Sequence, residues 1–401
     1  MKRKYPVGVQ SFEKIRKEGY LYVDKTALVY KLITEGCPYF LSRPRRFGKS
    51  LLISTLQAVF EGRRELFDAF TTEDGIEQPQ LYIAQTDWRW EKHPVLRFDF
   101  SMGDLKTIEQ LDELINFTLS SYEKDYNITA PSGDANVRMV NLLRTLHRQT
   151  GKRVVVLVDE YDNFILHALG DEERVSEARH RVQNVLSPLK AEDDHLQFAF
   201  ITGISKFSQM GIFSRLNNLM NISMVPEFDA LCGISEEELV TQMHQDIVKL
   251  GEANEMTYEE QLAELKAMYD GYHFSKKRTD IYNPFSLVNA FKTQELGNYW
   301  FASGTSRAVI EMLAQMPPVR LSDLTDINCE ASVFNQAFDS YASPLPLLYQ
   351  SGYLTIKDYN RNRDMYKLGF PNEEVRKGFA DCLFQHVTNT RAHRFGAPWF
   401  V

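Results

Sequence analysis

The sequence predicts an α/β protein: a layered domain with a parallel sheet over residues 1–232, a helical region over 233–340 and a winged-helix-like region over 341–401. Three observations carry this. Near-continuous apolar runs recur in the first half, the mark of strands buried on both faces of a parallel sheet. Helical periods lie between those runs, so the connections read as βαβ crossovers. The C-terminal stretch reads as helix, hairpin, helix.

Taken in order, the strand-like runs are Tyr39–Ser42, Val95–Phe100, Val154–Val158 and Phe198–Thr202. Leu51–Phe60 and Val140–His147 have apolar residues at helical spacing, and Gly151 is a plausible helix stop. Trp88 and Trp90 flank Arg89 in a loop expected to pack on the core, and Ala130–Asp134 reads as a surface loop. Beyond residue 232, strand signals are few. Ser235 with Glu238 forms a capping-box pattern, and the acidic Glu236 and Glu237 suit a helix N-terminus. Helical periods run through Leu250 and from Glu259 to Tyr269. Asp270-Gly271 breaks the chain and Asn283-Pro284 starts another helix. The cluster Tyr269–Phe274 reads as a turn with packed aromatics, with His273 in a structural role. Pro346–Gln350 looks helical and stops near Gly352. Tyr353–Ile356 and Met365–Leu368 pair as a hairpin around Asp358–Arg363, and Asn372 caps a last helix.

A chain of 401 residues is long for one domain and fits two or three. Its 43% hydrophobic and 25% charged residues are those of an ordinary globular protein. A net charge of -8 argues against coating by nucleic acid through bulk charge, though not against a local basic patch. The four cysteines, at 37, 232, 329 and 382, form no CxxC pair or Cys/His cluster, so reduced thiols in a cytoplasmic protein are expected. The basic N-terminus lacks an apolar region after it, and no run is long enough to span a membrane.

The chemistry begins at Ser42-Arg43-Pro44-Arg45-Arg46-Phe47-Gly48-Lys49-Ser50, which follows a strand and opens a helix, the order a phosphate-binding loop requires. Backbone N–H groups from Arg45 to Leu51 and the helix N-terminus would cradle phosphate oxygens. Gly48 would permit close backbone approach, Lys49 would reach the β- and γ-phosphates, and Ser50 would offer its hydroxyl to Mg²⁺. The full GxxxxGK[ST] pattern needs glycine at 43, where arginine stands, and a short GKS alone is weak. A second pattern adds weight: Val154–Val158 delivers Asp159 and Glu160 at the C-terminal end of a buried strand, where ligands sit in open α/β sheets. Asp159 would serve the metal, and Glu160 would polarise the attacking water as general base.

A third strand, ending Ile201-Thr202-Gly203, should lie beside the loop strand. Thr202, or else Ser205, is placed there to sense the γ-phosphate, with an ordinary turn as the alternative. Arg45 and Arg46 can meet phosphates, a neighbouring subunit or solvent. Arg215 can act as an arginine finger or in a structural ion pair.

With these residues in hand, the chain resembles the bacterial AAA-ATPase-like family. The resemblance rests on Tyr20–Thr26, Arg43–Ser50, Val158–Asp162, Phe213–Asn218, Tyr269–Tyr272 and Tyr282–Pro284. Arg-Pro-Arg-Arg-Phe-Gly-Lys-Ser is that family's form of the phosphate loop, so Arg43 is a family trait. The resemblance implies a P-loop NTPase core of the additional-strand type, with helical and winged-helix regions after it. Many members add a nuclease-like domain of the PD-(D/E)xK type. Here no strand carrying Glu-x-Lys follows the helix from Glu373, and Glu264-Leu265-Lys266 sits in a helical pattern, so that domain is expected to be absent. The expected function is a Mg²⁺-dependent ATPase acting as a switch or motor; the alternative is a nucleotide-bound scaffold or DNA-binding regulator with negligible hydrolysis. Expected partners are ATP, a second copy of the chain, and DNA through Lys357, Arg361, Arg363 and Lys367 on the hairpin.

Overall fold

The computed structural model describes residues 3–36, 38–103, 105–205, 218–300, 324–335 and 343–382. The chain forms two compact units. The first comprises residues 1–42 and 48–222, the second residues 43–47 and 223–401.

The first unit is built on a sheet of strands β1 (Tyr39–Ser42), β2 (Val95–Asp99), β3 (Val154–Asp159), β4 (Leu196–Gly203) and β5 (Met220–Asn221), in the order β2-β3-β4-β1-β5. Every neighbouring pair is parallel. The α/β expectation holds, and the strand ending at Gly203 does lie beside the loop strand, with Ser42 paired to Gly203. β1 and β3 are not neighbours, because β4 runs between them. All six residues of β3 are buried. Each fully buried Val or Leu there contributes about 1.5–3 kcal/mol, which is why the aliphatic run was so readable.

The helix Lys49–Phe60 buries Leu52, Ile53, Leu56, Val59 and Phe60. Ala135–Thr150 lies in the crossover from β2 to β3, and Gly151 ends it in the left-handed conformation, φ 67°. That conformation costs a Cβ-bearing residue energy and glycine little. Trp88 packs edge-on to Phe60, and Trp90 lies 4.8 Å from Phe67, so both belong to the core's edge.

The second unit holds the helices Glu236–Gln242, His244–Ala253, Tyr258–Tyr269, Pro284–Thr293 and Leu345–Gln350, and another over 373–382. The Ser235–Glu238 capping box forms as its spacing implies. Asn283 accepts from the N–H groups of Phe285 and Ser286, and Asn372 accepts from Val375 at 3.1 Å. Strands outnumber expectation here. Ile234–Ser235 pairs with Ile281–Tyr282. The C-terminal hairpin, Thr355–Asn360 with Met365–Gly369, gains a third strand, Ile327–Glu330, from the region read as helical. Among the described residues, no helix is long and apolar enough to cross a membrane.

Candidate functional site

At the tip of the first unit's sheet, β3 delivers Asp159, which is fully buried. Its Oδ1 accepts a hydrogen bond from the Thr202 hydroxyl at 2.7 Å, while its buried Oδ2 has no hydrogen-bond partner. Thr202 therefore holds the carboxylate in place. A buried anionic oxygen without a donor is costly unless a cation or donor reaches it. On the other side, Asp99 of β2 stands in register with Asp159, its Oδ1 taken by the N–H and hydroxyl of Ser101.

The chain turns sharply after β3. Glu160 lies at φ 48°, a left-handed conformation that costs a residue with a Cβ on the order of 1 kcal/mol and clusters at functional sites. The turn is fixed by the Tyr161 N–H bonding to the Thr202 carbonyl at 3.1 Å and the Asn163 N–H bonding to the Glu160 carbonyl at 2.9 Å. Glu160 is itself partly exposed.

Lys49 opens the helix Lys49–Phe60 and is 4% exposed. Its ammonium favours the ionised form of Asp162, against burial, which pushes the Asp162 carboxyl's pKa upward. Asp162 Oδ2 accepts from the N–H of Ile204, the N–H of Ser205 and the Ser205 hydroxyl. Asp162 escaped the motif reading. Its signal was a second aspartate three residues beyond Asp159, within the segment Asp159-Glu160-Tyr161-Asp162. Gly203 closes the same corner: a Cβ there would lie 2.5 Å from the Tyr161 ring and 2.8 Å from Asp162 Oδ1. Ser205 binds Asp162 and so belongs to this corner.

Backbone hand alternates along the phosphate-loop segment. Arg46 is at φ 67° and Gly48 at φ 91°, with Phe47 between them outside the left-handed region. Such alternation turns successive N–H groups to one side, as an anion nest requires. Gly48 is the N-cap of the helix and offers no side-chain cap, so the N–H groups of Ser50 and Leu51 have no acceptor within the helix.

The side chains of Arg43, Arg46 and Phe47 make their contacts within the second unit. Arg43 is buried, donates to the carbonyls of Ser223 at 2.8 Å and Phe228 at 3.1 Å, and lies over the Phe274 ring at 3.9 Å. The Phe47 ring meets those of Tyr272 and Phe274 edge-on. The Arg46 guanidinium sits over Phe285, and the Arg45 carbonyl accepts from the Trp300 indole.

Of the basic residues on the hairpin, Lys357 donates to the Pro371 carbonyl at 2.8 Å and Lys367 pairs with Asp326 at 2.9 Å. Arg361 and Arg363 are exposed. His273 is held by Asp280 and the Ile356 carbonyl, in the structural role expected of it. Arg215 lies outside the described residues.

Residues 6–213 match the AAA-ATPase-like family, whose description is predicted AAA-ATPase. A protein of Azotobacter chroococcum mcd 1, described as an uncharacterized protein in the vnfD 5′ region, is 35% identical over 390 residues, spanning 95% of this chain and 70% of that protein. No solved structure matches. On the family match and on this likeness, the chain belongs to the AAA-ATPase-like family of predicted AAA-ATPases.

Proposed function

We propose that this chain binds ATP with magnesium and hydrolyses it, as a P-loop NTPase of the additional-strand type. The observation that carries the reading is Asp159: a buried carboxylate at a strand tip, one oxygen fixed by Thr202 and the other without a donor. The sheet order supports it too, since β4 is an additional strand between the loop strand and the strand bearing the acidic pair.

The residues fit a magnesium–triphosphate. Asp159 and the Ser50 hydroxyl would hold the ion, whose chemistry when bound is to neutralise and polarise phosphoryl oxygens. Lys49, buried at the helix start, would supply a fixed positive charge to the β- and γ-phosphates. The N–H groups of residues 46–51 would contribute partial charges from the nest and the helix end. Glu160, held out from β3 by its left-handed backbone, would take a proton from the attacking water. Thr202 would keep Asp159 oriented, a positioning task distinct from sensing the γ-phosphate. In this reading, cycles of binding and hydrolysis drive a switch or motor, with the region from 341 onward as a winged-helix-like output.

Calorimetric titration of the chain with Mg-ATP tests the proposal. Wild type should bind, and Lys49→Ala should lose at least about tenfold in affinity. Equal affinity in the two, with both folded, would reject the phosphate role of Lys49. A DNA-binding output has less support, since Lys357 and Lys367 have partners within the second unit.

A further inference from the structure

A second cluster of charge lies in the second unit. Glu236 opens the helix Glu236–Gln242, Asp270 caps the end of Tyr258–Tyr269, and Asp280 directly precedes the strand Ile281–Tyr282. One carboxylate oxygen from each lies within 4.8 Å of the others. Lys266 reaches all three, at 2.9 Å from Glu236, 3.3 Å from Asp280 and 3.8 Å from Asp270. With all four ionised, the charges sum to two negative, the complement of a divalent cation.

Two buried polar atoms here lack what such an ion would bring. Asp270 is 2% exposed, and its Oδ1 has no hydrogen-bond partner. The Tyr282 hydroxyl is likewise buried and unpartnered; burial, and after it the charges of Asp270, Glu236, Asp280 and Tyr258, push its pKa upward. Tyr282 is no part of the acidic cluster, so it is an independent sign of a missing partner. A hydrated ion would give its hydroxyl an acceptor. Asp280 is held from outside by His273 at 2.7 Å, the outer-shell support that ligating carboxylates usually have.

We infer that Glu236, Asp270 and Asp280 form a binding site for a hard divalent cation, of the calcium, magnesium or manganese class, with Lys266 as the competing internal counter-ion. Oxygen ligands at about 2.0–2.6 Å from such an ion stand roughly 3–5 Å apart, and these carboxylate oxygens lie within 4.8 Å of one another. The Lys266 side chain is 46% exposed, and its long stem lets the ammonium withdraw to water as the ion enters. Glu236 and Asp280 are partly exposed, which gives the ion an entry path and room to keep water ligands.

The test uses the full chain without nucleotide. Free Mn²⁺ is followed by electron paramagnetic resonance in an Asp159→Asn background, which removes the metal ligand proposed for the phosphate site. The expected result is one Mn²⁺ bound per chain, weakened at least about tenfold by Asp270→Asn and tightened by about tenfold in Lys266→Gln. Terbium(III) should show tyrosine-sensitised emission that Tyr282→Phe reduces. The Lys266→Gln arm keeps the proposal falsifiable if Asp270→Asn misfolds, because a purely structural lysine network predicts no gain in affinity. Absence of Mn²⁺ binding in the Asp159→Asn chain, or affinity unmoved by Lys266→Gln, would overturn the site.

Discussion

The hydroxyl of Thr202 donates to Oδ1 of Asp159 at 2.7 Å, one residue beyond the register pair Val158–Ile201. The neighbouring strand thereby sets the orientation of a buried carboxylate whose other oxygen has no hydrogen-bond partner. Thr202→Val keeps the shape and removes the donor, leaving both Asp159 oxygens buried without a strong donor. Denaturant unfolding should show a loss of about 1–3 kcal/mol, and Thr202→Ser should recover most of it. A neutral Thr202→Val would mean that the hydroxyl is incidental.

Gly203 makes the adjoining corner possible. Its replacement by alanine would press a Cβ onto the Tyr161 ring and Asp162 Oδ1. The expected cost is about 1–3 kcal/mol from overpacking, read as a lowered melting temperature. Unchanged melting would show that Tyr161 can step aside freely.

Four strands of the sheet were legible because each is an apolar run with most of its residues buried, while Met220–Asn221, exposed at both positions, left no such signal; the caps were legible because Ser235, Asn283 and Asn372 act through local hydrogen bonds. Ile327–Glu330 was not. Its residues alternate mostly exposed positions around one buried cysteine, and it exists as a strand only by pairing with Met365–Gly369, nearly forty residues on. Lys49, Ser50, Asp159 and Glu160 could be named from motif order alone. The task of Arg43 could not, because its partners are the carbonyls of Ser223 and Phe228, and backbone acceptors leave no trace in side-chain identity. The partner of Asp162 was hidden for a related reason: Ser205 reaches it only after β4 has been laid beside β3.

Arg43 leads to a further expectation. Arg43→Gly restores the residue that the common loop pattern demands, yet it should damage this protein. Two carbonyls lose their donors, Phe274 loses its stacked guanidinium, and a cavity opens. A loss of about 3–5 kcal/mol in the second unit is expected, measured by denaturant unfolding. A stable Arg43→Gly chain would contradict the anchoring role.

Glu374 should make stability depend on pH. Burial pushes its carboxyl up to about 7 from 4.5, against hydrogen bonds from the Trp300 N–H and Ser286 hydroxyl; the phenols of Tyr269 and Tyr272 also feel its charge. The folded state then binds a proton that the unfolded state has released between pH 4.5 and about 7. This contribution is full below that window and is lost as pH rises through it. It amounts to at most about 3 kcal/mol. Glu374→Gln should flatten that part of the decline, leaving the similar share due to Asp270, raised to about 7 by its own burial. Equal slopes in wild type and Glu374→Gln would contradict the assignment.

The most direct test of the hydrolytic account is single-turnover phosphate release from Mg-ATP by wild type and by Glu160→Gln, with nucleotide binding measured on the same samples. The account requires that Glu160→Gln still bind ATP while its release rate falls by about 10²–10⁴-fold. Release at the wild-type rate from a chain lacking the Glu160 carboxylate would contradict it.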